Sequence, residues 1–172
     1  NDGQVEMSFG EDAGEADDRV SLGQFYGIEV NDFAVRVART ALWIAQLQAN
    51  AETDMLLDLG TEDFPLCDSA NIVEANALRT DWNDVLPAER CDYIMGNPPF
   101  VGYSNLSSPQ KEDRQAIFGK SGGVLDYVTC WYKKAAEYTK GFHTRCAFVS
   151  TNSICQGQQV EPLWRPLFED GI

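Results

Sequence analysis

The sequence has little that would support histidine, metal or disulfide chemistry. His143 is the one histidine among 172 residues, and a lone histidine in a polar turn is far more often inert than catalytic. The five cysteines are odd in number and no two form a C-x-x-C pair, whereas a zinc site or a disulfide framework needs tighter, paired spacing. We therefore expect reduced thiols, no bound metal and a cytoplasmic location.

Long apolar runs and positive charge are also scarce. No run approaches the length that spans a bilayer and no signal-like pattern opens the chain, so we expect no membrane association. The 13 basic against 27 acidic residues give a net charge of −14, whereas DNA binding normally needs a basic surface. A DNA substrate would therefore have to be held by another part of the protein. Because the chain begins at Asn1 rather than Met, we expect it to be a piece of a longer protein.

The remaining composition predicts one folded domain behind an acidic lead-in. Hydrophobic residues make up 44% of the chain, which is enough to build a buried core. The first 20 residues carry seven acidic residues and three glycines, which is typical of a solvated, flexible segment. We therefore expect an acidic lead-in over residues 1–23 and a folded domain over residues 24–172.

Hydrophobic patterning predicts short strands that alternate with helices. Four apolar runs are strand candidates: 25–30, 71–78, 91–96 and 146–151. Apolar residues at three- and four-residue steps predict helices over 31–50 and 126–140, and the polar, glycine-bounded stretch 102–123 predicts a long mobile loop with one helical turn. This alternation implies an α/β fold with a largely parallel sheet and flanking helices.

Two polar residues lie at the ends of predicted strands. In an open parallel sheet, ligands bind beyond the carboxyl ends of the strands. Glu29 closes the first strand and Asn97 follows the third, so the topology puts both on one edge of the sheet. A carboxylate at such a strand end can accept two hydrogen bonds from the vicinal hydroxyls of a ribose, and Ile28 could flank an adenine ring. An equally weighted alternative is that Glu29 merely caps the following helix.

The tetrapeptide Asn97-Pro98-Pro99-Phe100 is the most specific pattern in the chain. Two prolines fix the backbone and remove two amide donors, so the Asn97 side chain and the Pro98 carbonyl can each accept one hydrogen of an exocyclic amine. Phe100 offers a flat face on which a flipped base can stack, worth about 1–3 kcal/mol. The alternative is an ordinary turn, but such a string arises by chance in roughly one of a thousand chains of this size.

The pattern resembles a known family of enzymes. Residues 26–29 (Tyr-Gly-Ile-Glu) and 97–100 (Asn-Pro-Pro-Phe) resemble the second and fourth motifs of class I S-adenosylmethionine-dependent amino-methyltransferases. The wider string 96–103 is similar to adenine-specific DNA enzymes of bacterial restriction-modification systems, above all to single chains that fuse nuclease, methyltransferase and target-recognition parts. Residues 125–128 and 146–153 resemble the fifth and sixth motifs. The resemblance covers residues 24–168 and implies a partial Rossmann-like fold.

The resemblance also implies roles for individual residues. Glu29 would bind the cofactor ribose, and Asn76 and Ala77 would meet the cofactor adenine. The family usually has an acid at the position of Asn76, so this chain departs from the pattern there. Asp126 would line the cofactor or target pocket, with a helix cap as an equally weighted alternative.

One motif of the family is missing. The glycine-rich first motif, which holds the methionine end of the cofactor, occurs nowhere in the chain, and its accompanying strand would lie between the strands of Glu29 and Asn97. We therefore expect a sheet with an altered or vacant centre, or one completed by another chain. We also expect the isolated piece to bind S-adenosylmethionine weakly or not at all, to be inactive, and to be able to self-associate. Double-stranded DNA would be bound through regions outside it.

Two other functions remain open at this point. The same Asn-Pro-Pro-aromatic motif can hold any planar nitrogen, so protein glutamine, an RNA base or cytosine are alternative methyl acceptors. The context of residues 100–103 favours DNA adenine on resemblance. A non-catalytic interaction module that keeps the fold is a second alternative, because the chain is acidic and lacks the first motif.

Overall fold

The computed structural model describes residues 20–57 and 70–171. The predicted acidic lead-in lies outside the described residues except for its last four positions. There, Leu22 is buried and begins a short 3-10 turn, Leu22–Gln24. No helix in the described part is both long and apolar enough to cross a membrane.

A first parallel pair of strands is covered by a long helix. Strand β1 (Tyr26–Glu29) pairs with β2 (Asn71–Glu74) in parallel, and helix α1 (Asp32–Leu57) follows β1. Val35 on α1 is buried against Ala70 and Ile72. The helix runs seven residues past its predicted end at residue 50, since the continuation contains good helix formers, among them Ala51, Glu52 and Met55.

Strand β2 ends earlier than the predicted 71–78 because Asn76 starts a turn. The Asn76 side-chain oxygen accepts a 2.9 Å hydrogen bond from the Leu78 amide, and its carbonyl accepts bonds from the amides of Arg79 and Thr80. Asparagine favours such local side-chain to backbone bonds over a strand ladder. The strand therefore ends at Glu74, and the Ala75 amide makes the last hydrogen bond to β1.

A second parallel pair lies beside the later helices. Strand β3 (Tyr93–Gly96) pairs with β4 (Arg145–Phe148), and the chain between them forms α2 (Ser108–Phe118) and α3 (Thr129–Thr139). Among the described residues the two pairs are separate two-stranded sheets. The α/β class and the parallel pairing are confirmed.

Helix α2 corrects the prediction that residues 102–123 form a mobile loop. Its start is fixed by Ser107, whose amide donates a 3.0 Å hydrogen bond to the Gln110 side chain in a capping-box arrangement, and Pro109 lies in its first turn, where proline is favoured. Gly119, with φ of +59°, ends the helix. Most of its residues are polar, so the sequence shows little apolar periodicity there.

The core lies around residues 125–130, all of which are buried. Leu125 and Val128 pack against α3 and against helix α4 (Val160–Glu169), which contributes Leu163 and Leu167. Tyr127 and Cys130 belong to a second cluster with Leu78 and Leu106. Burial of a leucine side chain contributes about 1.5–3 kcal/mol to the free energy of unfolding. The packed segment 125–130 therefore supports the loops around Asn97.

Candidate functional site

Glu29 is the last residue of β1 and takes part in the start of α1. Its Oε1 accepts a 2.9 Å hydrogen bond from the Asn31 amide, and its backbone carbonyl accepts one from Ala75. The side chain is half-buried, and Oε2 has no hydrogen-bond partner among the described residues. The capping contact thus exists, but it occupies only one of the two carboxylate oxygens.

The neighbours of Glu29 form a small rim at this strand end. Ile28 is half-buried and pairs in register with Val73, and Glu29 pairs with Glu74. In parallel strands, register partners point to the same face of the sheet. Two carboxylates therefore stand side by side where β1 and β2 end.

Asn76 and Ala77 lie in the turn just beyond β2. The Asn76 amide group is used at both ends: its oxygen holds Leu78 and its nitrogen donates a 3.3 Å bond to Asp113 Oδ2. The Ala77 carbonyl accepts a 2.9 Å bond from the indole nitrogen of Trp82. The Asn76 amide group thus shapes the turn and is fully engaged by the protein. The half-buried methyl group of Ala77 is the apolar surface that remains at this strand end.

The Asn97–Phe100 segment leaves β3 with two acceptors unused. Val149 donates a 3.0 Å bond to the Gly96 carbonyl, which is the last ladder bond before Asn97. Pro98 is buried, whereas Asn97 is exposed and the Phe100 ring is 49% exposed. Within the described part of the chain, neither the Asn97 side chain nor the Pro98 carbonyl has a hydrogen-bond partner. The prolines therefore present acceptors on a fixed backbone.

Asp126 holds the loop that follows Phe100. Its Oδ1 accepts a 2.8 Å bond from the Tyr103 amide, and its Oδ2 accepts a 2.8 Å bond from the Ser153 hydroxyl. Its own amide donates to Gln159, and its carbonyl accepts from Thr129 at the start of α3. Both carboxylate oxygens are thus bound by the protein, to Tyr103 and Ser153, and the side chain does not cap α3, whose N-cap position is Val128.

Asp113, which belongs to no motif of the sequence, lies at the centre of a buried network. It accepts hydrogen bonds from Asn76, from Arg79 and, at 2.7 Å, from the Tyr127 hydroxyl. Burial by itself would raise the pKa of Asp113, but the bonds from Tyr127, Arg79 and Asn76 outweigh it and lower that pKa below the ordinary 3.8. The sequence signal for its inward position is the four-residue spacing from Ile117, which packs against the core.

The same network fixes the donor state of Tyr127. Burial and then the bond to Asp113 raise the pKa of the Tyr127 hydroxyl above its ordinary value, so it stays a protonated donor. The Tyr127 backbone amide donates a 2.9 Å bond to the carbonyl of Val101, the residue after Phe100. Tyr127 is thus bonded to both the network and the loop.

The structure places the predicted residues at the ends of two separate strand pairs. Glu29, Ile28, Asn76 and Ala77 belong to the β1–β2 end, and Asn97 belongs to the β3–β4 end. No hydrogen bond or ion pair joins Glu29 to Asn97 in the part that the structure describes. Among the described residues, the Asp113 network is one of the hydrogen-bonded connections between these two ends.

Known proteins are similar to this chain along most of its length. The family model described as MmeI, DNA-methyltransferase domain, matches residues 3–172. DNA methyltransferase A of Bacillus subtilis (strain 168) is 42% identical over 158 residues, covering 89% of this chain and 18% of that protein. A solved structure of the Type IIL restriction-modification enzyme MmeI in complex with DNA is 45% identical with a TM-score of 0.84, covering 89% of this chain and 21% of the solved one.

These matches confirm the resemblance that the motifs indicated, to the methyltransferase domains of restriction-modification enzymes. The chain spans about a fifth of the length of the two relatives. Its family model covers nearly the whole chain, including both strand ends and the Asn97–Phe100 segment. The chain therefore belongs to the family of MmeI DNA-methyltransferase domains.

Proposed function

We propose that this chain is the catalytic part of an adenine-N6 DNA methyltransferase of a restriction-modification system, acting in the cytoplasm with S-adenosylmethionine as donor. The observation that carries the proposal is the pair of unused acceptors at Asn97 and Pro98 beside the exposed Phe100 ring. Two neutral acceptors match a planar amine, because such an amine can donate one hydrogen to each of them. Membership of a DNA-methyltransferase family supports DNA as the carrier of that amine.

On the target side, the residues of the loop orient the amine. Asn97 Oδ1 and the Pro98 carbonyl each accept one amine hydrogen, which directs the nitrogen lone pair away from both. Phe100 stacks on the face of the extruded base. Because a methyl transfer needs only in-line approach, positioning supplies most of the rate, and the two prolines reduce the freedom of the backbone that does it.

On the cofactor side, the donor set of β1 fits a nucleoside. Glu29 keeps one carboxylate oxygen without a protein partner at the carboxyl end of the strand, where a ribose hydroxyl can donate to it. Ile28 and Ala77 present apolar surface of the kind that borders an adenine ring. When bound, S-adenosylmethionine supplies an electrophilic methyl group on a sulfonium. Asn76, whose amide is engaged at both ends, acts through the shape of its turn.

The sheet of the whole protein is proposed to be Rossmann-like. Strands β1 and β3 each pair on one side only among the described residues, so a further parallel strand fits between them and would join the pairs into one sheet. Double-stranded DNA would be held by other regions, since the net charge of −14 opposes phosphate binding by this chain. The MmeI relative was solved in complex with DNA.

The proposal is tested on the full-length protein with methyl-tritiated cofactor and double-stranded DNA. We expect label in N6-methyladenine after digestion to nucleosides. The variant Asn97→Ala should abolish labelling, whereas the control Asn105→Ala, an asparagine on the same loop whose side chain has no partner in the described structure, should retain it. Label in protein, RNA or cytosine, or full activity of Asn97→Ala, would overturn the assignment.

A further inference from the structure

Asp113 is a buried charge on a helix whose other residues are mostly exposed or half-buried. Its side chain is 3% exposed, and it accepts hydrogen bonds from Asn76, Arg79 and Tyr127. Burying a carboxylate is costly unless donors surround it. A satisfied buried charge still contributes little net stability compared with an apolar side chain. The role of Asp113 is therefore better explained by the positions in which it holds its hydrogen-bond donors.

The partners of Asp113 come from the two strand ends that carry the proposed site. Asn76 directly follows Ala75, whose amide donates to the carbonyl of Glu29, so one arm of the network reaches the proposed cofactor side. Tyr127 donates its amide to the Val101 carbonyl, so the other arm reaches the loop of Asn97. Asp113 therefore lies between the two halves of the site and is bonded to both.

In the described part of the chain, few other hydrogen bonds join the two halves, which also share the apolar cluster of Leu78 and Tyr127. The two strand pairs share no ladder hydrogen bonds among the described residues. Other bonds between the halves involve residues further along the chain from β2, such as the 2.6 Å bond from the Tyr138 hydroxyl to the Leu86 carbonyl. Within residues 20–57 and 70–171, the Asp113 network is the hydrogen-bonded connection nearest to both strand ends.

We propose that Asp113 is a positioning residue that sets the distance between the cofactor side and the target side of the site. This inference rests on the proposed function, because it assigns the two strand ends to the two reactants. Asp113 touches neither reactant; it acts through Asn76 on one side and through Tyr127 and Val101 on the other.

The test uses three variants of the full-length protein. Asp113→Asn keeps the side-chain shape but replaces one acceptor oxygen with a donor. Tyr127→Phe removes only the hydroxyl bond and keeps the ring contact with Trp131 at 5.3 Å. Glu112→Gln is the matched control, since it removes a charge that lies 3.7 Å from Arg79 but is 73% exposed and bonds neither Asn76 nor Tyr127.

The readouts separate positioning from folding. We expect Asp113→Asn to lower the single-turnover transfer rate by roughly 100-fold, the effect of a misplacement of about 1 Å, and Tyr127→Phe to lower it by roughly 10-fold. The dissociation constants for cofactor and DNA, each measured alone, should stay within about threefold of wild type. Glu112→Gln should match wild type throughout.

Two results would overturn the inference. The first is a transfer rate for Tyr127→Phe and Asp113→Asn equal to that of Glu112→Gln. The second is a parallel loss of rate, both affinities and melting temperature, which indicates a structural role alone; if Asp113→Asn does not fold, Tyr127→Phe decides by the same criteria. The rates are measured on whichever acceptor the wild type labels, so a failure of the adenine assignment is recognised separately.

Discussion

Asp126 Oδ1 accepts a 2.8 Å hydrogen bond from the backbone amide of Tyr103, three residues beyond Phe100. The second oxygen is held by Ser153 after β4. This carboxylate therefore ties the Phe100 loop to the segment after the neighbouring strand. The resemblance implied that Asp126 lines the cofactor or target pocket. Its contacts favour a role in holding the loop that carries Asn97.

Replacing Asp126 should separate loop support from cofactor contact. Asp126→Ala leaves the Tyr103 amide without its charged acceptor, a loss of about 1.5–3 kcal/mol, so methyl transfer should fall roughly 10- to 100-fold. Asp126→Asn should retain most activity, because its oxygen still accepts from Tyr103 and Ser153 can accept from its amide. Exposed Asp84→Ala is the control, and hydrogen exchange of residues 97–106 reports loop mobility. A large rise in the cofactor KM for Asp126→Asn would instead show that the charge contacts the cofactor.

Acid stability should depend on Asp113. Its folded pKa lies below the ordinary 3.8, so folding favours the carboxylate. The stabilisation is complete above pH about 4 and is lost as the pH falls through the lower folded value. Melting temperatures from pH 6 to pH 2 should therefore fall less steeply below pH about 4 for Asp113→Asn than for wild type. Glu112→Gln should follow wild type, and identical slopes for all three proteins would contradict the prediction.

Cys130 should resist alkylation in the folded protein. It is fully buried, and this burial raises the pKa of its thiol to about 12, so neither access nor thiolate is available at pH 8. Cys155 is exposed and serves as the internal control. Peptide mapping after iodoacetamide treatment should find Cys155 modified and Cys130 unmodified, and both modified in urea. Modification of Cys130 at the rate of Cys155 without urea would show that the core is open.

The exposed face of β3 should promote association of the isolated 172-residue chain. Tyr93 and Met95 alternate on one face of the strand and are 66% and 82% exposed. Exposed apolar strand residues favour pairing between chains. Light scattering should give a mass above the monomer, and Met95→Glu should lower it. Met55→Glu on α1, which is 87% exposed, should not; a wild-type monomer would contradict the expectation.

Helices and strands with a regular pattern of apolar residues could be predicted from the sequence. Elements held by contacts with residues distant in sequence could not. The four short strands were found because each has adjacent apolar residues, and α1 because of its repeated apolar step. The sequence predicts a loop in place of helix α2, because the inward residues of this helix include the charged Asp113, which looks like a solvated position in its Lys-Glu-Asp-Arg surroundings. Helix α4 was missed, and it contains Pro162 and Pro166, which lower helix propensity.

The strand-end residues of the site followed from topology, whereas their support did not. Glu29 and Asn97 could be assigned to strand ends because Glu29 closes one apolar run and Asn97 follows another, whereas their shared edge stays a prediction, since the structure places them on two separate strand pairs. The bonds of Asp126 reach across 23, 27 and 33 residues to Tyr103, Ser153 and Gln159. Such separations have no periodic signal in a single sequence, so only the folded chain reveals which acid holds which loop.

The central claim is that Glu29 binds the cofactor while Asn97 binds the amine that receives the methyl group. It is tested most directly by the single-turnover transfer rate of the full-length protein as a function of cofactor concentration. Glu29→Ala should need roughly 10- to 100-fold more cofactor, the effect of losing bonds to a charged group, and still reach the wild-type maximum. Asn97→Ala should not approach that maximum at any concentration. A wild-type curve for Glu29→Ala together with a wild-type maximum for Asn97→Ala would contradict the account.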